Sequence, residues 1–204
     1  MDRKTHWENI YRARPDEALS WFQPRPQVSL ELIEHAAPER DAVLIDVGGG
    51  SARLVDLLLE TGFSDLTVLD IVPTALDASR TRLGERADAV HWIEGDITHV
   101  ALDRHYDIWH DRAVFHFLVD EAERAAYLLR LHEALKPGGQ FVLACFTPDG
   151  PEQCSGLPVM RYTPCMLARL LGDEFAIREV VRETHVTPAG KPQSFIYSRF
   201  QRIS

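Results

Sequence analysis

The sequence predicts an α/β fold: a doubly wound, mostly parallel sheet with helices on both faces and an antiparallel hairpin at its end. Three observations carry this. From residue 42 to residue 146, short apolar runs alternate with amphipathic, helix-length stretches. A triple glycine, Gly48-Gly49-Gly50, sits where the first apolar run passes into a helical stretch. After residue 146 the alternation stops, and two strand-like runs follow with only 12 residues between them. Strands alternating with helices of about 10–15 residues imply βαβ units and a parallel sheet. The last gap is too short for a helical crossover, so its two flanking runs should pair as a hairpin.

Residues 1–40 are rich in aromatics and proline, with Trp7, Tyr11, Trp21 and Phe22 ahead of Pro24 and Pro26. Residues 28–34 then have helical spacing, ending near Pro38. This stretch is expected to be an N-terminal cap or lid on a core of residues 41–204, the whole of 1–204 forming one domain. Residues 42–45 read as a buried strand, followed by the glycine turn and a helix through 54–59. A second strand, 66–69, ends at Asp70, and a helix over 74–83 opens at Pro73, where the missing N–H costs nothing. Residues 89–93 and 106–110 are the third and fourth strands. An amphipathic helix over 120–135 should stop at the breaker Lys136-Pro137-Gly138-Gly139, ahead of a fifth strand at 140–146. A loop over 147–162 and a helix near 163–171 precede the hairpin runs, 175–181 and 194–200.

Bulk composition narrows the function classes. The net charge of −9 argues against general nucleic-acid binding, since an acidic surface repels phosphate backbones. No apolar stretch approaches the roughly 20 residues of a membrane-spanning helix, and the first residues do not read as a secretory signal. Cys145, Cys154 and Cys165 form no CxxC pair, so neither a disulfide framework nor a metal site is expected. A reducing cytoplasm fits that usage.

In an open parallel sheet, ligands bind at the carboxyl ends of the strands, where the strand order reverses. A turn there must bend sharply and let a ligand lie on bare backbone, which favours glycine. Gly48, Gly49 and Gly50 stand at that point. Asp70, 24 residues after Asp46, ends the second strand, where a carboxylate can accept both ribose hydroxyls of a nucleoside. Asp96, ending the third strand, could accept from an adenine amino group, with Ile97 against the ring. A nicotinamide dehydrogenase would use similar features. However, Gly48-x-Gly50-x-Ala52 departs from G-x-G-x-x-G, and the terminal hairpin and short chain leave little sheet for a second nucleotide.

Four ordered motifs resemble the class I (seven-stranded, Rossmann-like) S-adenosylmethionine-dependent methyltransferases. They are Val43 to Ala52, Val68-Leu69-Asp70, Glu94-Gly95-Asp96-Ile97 and Leu135-Lys136-Pro137-Gly138-Gly139-Gln140. The resemblance implies a sheet of order 3-2-1-4-5-7-6 and S-adenosylmethionine as cofactor. By resemblance, Asp46, Gly48, Gly49 and Gly50 surround the methionine moiety, Asp70 and Ile71 the ribose side, and Asp96-Ile97 the adenine. His110 presents its backbone carbonyl to the cofactor's amino group, and Trp21 of the cap closes over it. The N-terminal segment, His6 to Tyr11 and Ser20 to Gln23, looks like the cap of small bacterial methyltransferases of unassigned substrate. Asp111-Arg112 resembles the Asp-Lys-Gly element of protein-lysine methyltransferases, with Ala113 in place of the glycine. No Asn-Pro-Pro-Tyr-like element follows the fourth strand, which disfavours amino-methylation of adenine or glutamine.

Methyl transfer requires alignment of the acceptor and exclusion of water, and a proton acceptor for some nucleophiles. His110, Asp111, Arg112 and His116 are the catalytic candidates after the fourth strand. Trp21, Phe22, Cys154 and His185 are further candidates around an acceptor pocket. The expected function is methyl transfer to a small molecule, with a protein lysine as the alternative acceptor and a non-catalytic cofactor-binding protein as the non-enzymatic alternative. No nucleic-acid or membrane partner is expected, and the sequence leaves the oligomeric state open.

Overall fold

Seven strands join in one sheet, of which the computed structural model describes residues 2–37 and 39–204 of the surrounding chain. The expected helix end near Pro38 lies outside the described residues. The parallel strands are β1 (Leu44–Val47), β2 (Leu66–Asp70), β3 (Val90–Glu94), β4 (Tyr106–Arg112) and β5 (Leu135–Phe146). A short separate ribbon, β6 (Gln153–Cys154) with β7 (Leu157–Pro158), follows. The terminal hairpin is β8 (Phe175–Val186) and β9 (Pro192–Arg202), and β9 lies antiparallel to β5. The sheet order is β3-β2-β1-β4-β5-β9-β8, which is 3-2-1-4-5-7-6 once the ribbon is set aside.

Six α-helices cover the sheet: α1 (Arg3–Ala13), α2 (Gln27–Ala36), α3 (Leu54–Glu60), α4 (Pro73–Leu83), α5 (Glu121–Ala134) and α6 (Pro164–Leu171). β1 and β2 are buried at every position, as strands covered on both faces must be. One core layer packs Trp109, Phe141 and Phe200 of the sheet against Tyr127 and Leu131 of α5 and Leu167 of α6. The opposite layer packs Leu44, Leu66 and Ile108 against Leu30, Leu58 and Leu76 of α2, α3 and α4. A third cluster, Leu32 with Phe146, Phe195 and Tyr197, seats α2 on the hairpin.

The differences from the sequence expectation lie at boundaries. The stretch Lys136-Pro137-Gly138-Gly139 does end α5, but the chain passes straight into β5, which begins at Leu135. Leu135 already pairs with Tyr106 before the register shifts, and Lys136 Nζ holds both Asp107 oxygens at 2.9 Å. The hairpin strands run further than apolar spacing suggests, since from Glu179 to Thr184 half-buried and exposed positions of β8 alternate with a charged residue on both faces. Helix α1 was masked by its aromatic content: it buries no residue fully, so it leaves no apolar stripe to read.

Alternation along β4 sends Asp111 toward α5, whereas His110 and Arg112 face α2 and the cap. Asp111 accepts from Tyr127 Oη at 2.7 Å, and Tyr127 Oη accepts from Trp109 Nε1 at 2.9 Å, all three side chains being buried. Removing that hydroxyl leaves an indole N–H and a carboxylate short of partners at once. Tyr127→Phe is therefore expected to destabilise the protein by about 1–3 kcal/mol, read as a lowered urea midpoint. Tyr162→Phe removes a buried hydroxyl that has no hydrogen-bond partner, and its midpoint should hardly move.

Candidate cofactor site and acceptor pocket

The glycine turn joins β1 to α3 at the carboxyl edge of the sheet. Gly48 and Gly50 have φ of +71° and +41°, a region that side chains with a Cβ rarely enter. A Cβ on Gly50 would also fall 2.7 Å from both Asp70 Oδ2 and Tyr11 Oη. The turn is held from α4: Ser79 Oγ donates to Gly50 O at 2.7 Å, and Arg82 donates to Ser51 O and Ala52 O while pairing with Asp56. Gly48 N and Gly49 N donate to Leu69 O, which fixes the turn against the end of β2.

Beside the turn lies a mainly apolar cavity. Its floor is Val47, Gly48, Asp70, Ile71, Asp96 and Ile97. Its roof is the cap, through Arg3, Trp7, Tyr11 and Trp21. Trp7 packs edge-on against Trp21 and Phe117 at centroid distances of 5.7 and 4.9 Å. Trp21 continues the wall to Tyr11 at 5.8 Å. A second cavity of about 570 Å³ adjoins Asp46, Gly49, Ser51, Arg53 and His110, and Trp21, Gly48 and Arg112 border both.

The carboxylates at this edge differ in what already satisfies them. Asp46 accepts from His110 Nδ1 at 2.6 Å, and His110 Nε2 accepts from the Ser29 hydroxyl at 2.9 Å. Asp111 accepts from the backbone N–H groups of Val114 and Phe115 and from Tyr127. Burial pushes its pKa up to about 6, against the pull of those bonds. Among the described residues Asp70 accepts only from the backbone, from Val72 N at 2.8 Å and from Ile71, and burial pushes its pKa up to about 7, with Asp46 adding to the rise. This under-satisfied carboxyl, next to a cradle that a Cβ on Gly50 would fill, fits a ligand that brings hydroxyl donors. The nearby Tyr11 hydroxyl is pushed well above its usual pKa by burial and by Asp70.

Asp96 is engaged by more than its own turn. It accepts from Thr98 N and Thr98 Oγ1 through Oδ1, and pairs with Arg3 Nη1 at 3.1 Å through Oδ2. Burial alone would raise its pKa, but the Thr98 bonds and Arg3 hold it below the usual carboxylate range. Arg3 also pairs with Glu123, and Lys4 with Glu94 at 2.6 Å, so α1 crosses the cavity on charged contacts.

The catalytic candidates do not converge on the cavity. The His110 imidazole is locked between Asp46 and Ser29, and Asp111 caps the turn into residues 114 and 115. His116 is fully buried against Phe117 and Phe146, outside the lining of either cavity, and burial followed by the Arg112 charge brings its pKa down to about 3. Arg112 and Cys154 do reach the main cavity. Phe22 borders only the smaller one. His185 instead donates from Nε2 to Ser20 O at 2.8 Å and holds the cap. Sequence reading missed Arg3 and the lining roles of Trp7 and Tyr11. Their aromatic clustering marked a cap, but nothing local says which strand end a cap covers.

Two outcomes follow. Asp70→Asn keeps an acceptor for Val72 N while removing a carboxyl whose pKa is raised on folding. Such a group stabilises the fold below its unfolded pKa and loses that contribution as pH rises through about 7. The variant should therefore melt higher than wild type, by more at pH 8 than at pH 4, while S-adenosylhomocysteine binding weakens by about tenfold or more. In wild type that binding should tighten between pH 6 and pH 8, and in the variant stay flat. Arg3→Ala releases one end of the cap and should speed S-adenosylhomocysteine dissociation in stopped-flow, with wild type approaching the variant as salt is raised.

Residues 45–141 match the family model described as a methyltransferase domain. Among curated relatives, the eEF1A lysine and N-terminal methyltransferase of Danio rerio is 26% identical over 146 residues, covering 70% of this chain and 21% of that protein. The chain thus spans about a fifth of the length of that relative. The solved N-methyltransferase NodS of Bradyrhizobium japonicum, in complex with S-adenosylhomocysteine, superposes with a TM-score of 0.73 at 16% identity, covering 100% of both chains. The Burkholderia thailandensis 1,6-didemethyltoxoflavin-N1-methyltransferase superposes with a TM-score of 0.69 at 24% identity, covering 87% of this chain and 78% of that one. At these identities the structural likeness speaks to fold, and strand order, glycine turn and domain match agree. The chain shares the strand order and fold of these solved methyltransferases, and its residues 45–141 are similar to a methyltransferase domain.

Proposed function

We propose that this protein methylates an amine nitrogen, using S-adenosylmethionine held between the glycine turn and the cap. Bound there, the cofactor supplies a methyl group on a sulfonium, open to in-line displacement by a nucleophile. Asp70 would take the ribose hydroxyls, with Ile71 beside them, and Asp96 with Ile97 the adenine edge. Asp46, the three glycines and the His110 carbonyl would border the methionine end. Trp7, Trp21 and Phe117 exclude water from the methyl side, and their ring faces suit a nearby sulfonium cation. Residues 1–40 act in this reading as a lid on one domain.

One observation carries the choice of nitrogen: among the described residues the main cavity is lined by no histidine, and its two carboxylates, Asp70 and Asp96, are those assigned above to the ribose and adenine. A hydroxyl acceptor needs its proton removed during attack, whereas a neutral amine brings a free lone pair. An apolar wall with Arg112 beside it favours the neutral form, because burial and a like charge both lower an amine's pKa. N-methylation also recurs in the names of the relatives.

For the acceptor, the sequence relatives support a protein amine ahead of the small molecule expected from chain length. Four of them are eEF1A lysine and N-terminal methyltransferases or a homologue of these. Asp111-Arg112 and a net charge of −9, which attracts lysine-rich partners, agree with that class. A small amine is the second reading, favoured by the cap closing over an aromatic pocket.

Labelled cofactor incubated with a cell lysate should place label in the protein fraction. Label confined to the low-molecular-weight extract gives the second reading, and no S-adenosylhomocysteine release with either leaves a non-catalytic binder. With an acceptor in hand, kcat/KM should rise with pH and level off near the acceptor amine's own pKa. A flat profile from pH 6 to pH 9 would sink the neutral-amine mechanism.

A further inference from the structure

Arg112 ends β4 on the side facing the cap and borders both cavities. Its guanidinium is clamped: Nε donates to Tyr197 Oη at 2.9 Å, Nη1 donates to Trp21 O at 3.0 Å, and the group lies 5.0 Å from the Phe195 ring centroid. Nη2 is shielded from water and has no hydrogen-bond partner among the described residues. The bonded chain reaches a carboxylate only at second hand, where Tyr197 Oη donates to Glu183 at 2.8 Å. Neighbouring groups register the charge: after burial, Arg112 helps to lower the pKa of His116 and of His185.

A desolvated guanidinium with an unmet donor is costly unless an anion completes it. Three features make the site selective. The clamp fixes the plane of the group, so one edge alone remains to be satisfied. That edge suits a planar oxyanion through charge-assisted hydrogen bonds. Its walls, Trp21 among them, are aromatic, which leaves the anion poorly screened and the attraction strong.

We propose that Arg112 is the anion seat of this site and receives a carboxylate, either from the amino-acid end of the cofactor or from the acceptor. The inference rests on the cofactor reading above. It also constrains the acceptor: a lysine ammonium cannot occupy this seat, so a lysine acceptor requires the cofactor's carboxylate there.

The test is calorimetric titration of wild type, Arg112→Met and Arg112→Lys with S-adenosylhomocysteine and with its decarboxylated analogue. Melting curves establish which variants fold, and Arg112→Lys keeps the charge if the methionine variant does not. If the seat holds the cofactor, wild type prefers the carboxylate form by about tenfold or more, and Arg112→Met erases that preference. Arg112→Lys, lacking the planar fork, retains part of it. If the seat holds the acceptor, the preference survives in Arg112→Met. Wild type loaded with S-adenosylhomocysteine then binds benzoate better than benzamide, and the methionine variant does not. The proposal is overturned if the preference survives and loaded wild type treats benzoate and benzamide alike. Wild type that binds no S-adenosylhomocysteine removes the cofactor reading instead, and benzoate binding that depends on Arg112 would still support an anion seat.

Discussion

Three parallel strands carry a buried carboxylate at or next to their last residue, Asp46 on β1, Asp70 on β2 and Asp111 on β4, and this edge is organised by how each is compensated. Burying a charge is tolerable only when hydrogen-bond donors surround it. Asp111 is completed by two backbone N–H groups and Tyr127, and Asp46 by His110, itself backed by Ser29. Asp70 has only the backbone of Val72 and Ile71, and burial pushes its pKa up to about 7. Polar side chains thus complete two of the three, and the third has no side-chain donor among the described residues. This contrast explains why neighbouring acidic residues of similar burial have different parts to play. Asp111 holds the turn into residues 114 and 115, Asp46 fixes the His110 ring, and Asp70 faces the cavity.

The cap is attached by a different kind of force. The sheet and its helices are joined by three apolar clusters, whereas α1 buries no residue fully and crosses the cavity on Arg3 and Lys4. Exposed ion pairs of this sort contribute little each and weaken with salt. The aromatic contacts of Trp7 and Tyr11 with Trp21 gather on the cavity side. A roof held this way rests on contacts that salt weakens, while the walls beneath rest on buried apolar clusters that it does not.

Much of the core was legible because its signals are local. The alternation of apolar runs gave the strands, and the glycine turn, Asp70 and Asp96 stand where the strands meet the main cavity, as their spacing suggests. What escaped is of longer range. Arg3 meets Asp96 across 93 residues, and no periodicity reports such a meeting. His110, Asp111 and His116 have residue types suited to proton transfer, and only three-dimensional partners reveal that the first two are engaged and the third is walled off. The start of β5 escaped for another reason: Pro137 and the glycines break a helix, yet after the register shift they remain compatible with an extended strand.

The short stretch of cap around Trp21 is tied to the hairpin by His185 to Ser20, by Glu183 to Gln23 and by Arg112, which Tyr197 holds from β9. The hairpin follows every other element in chain order, while the cap precedes them all. During synthesis the glycine turn and its strands can form as soon as their segments emerge, but the stretch around Trp21 lacks these ties until the hairpin arrives. A nascent chain would therefore fold its floor before its roof, and the closed site is acquired late, when the two extremes of the described fold come together.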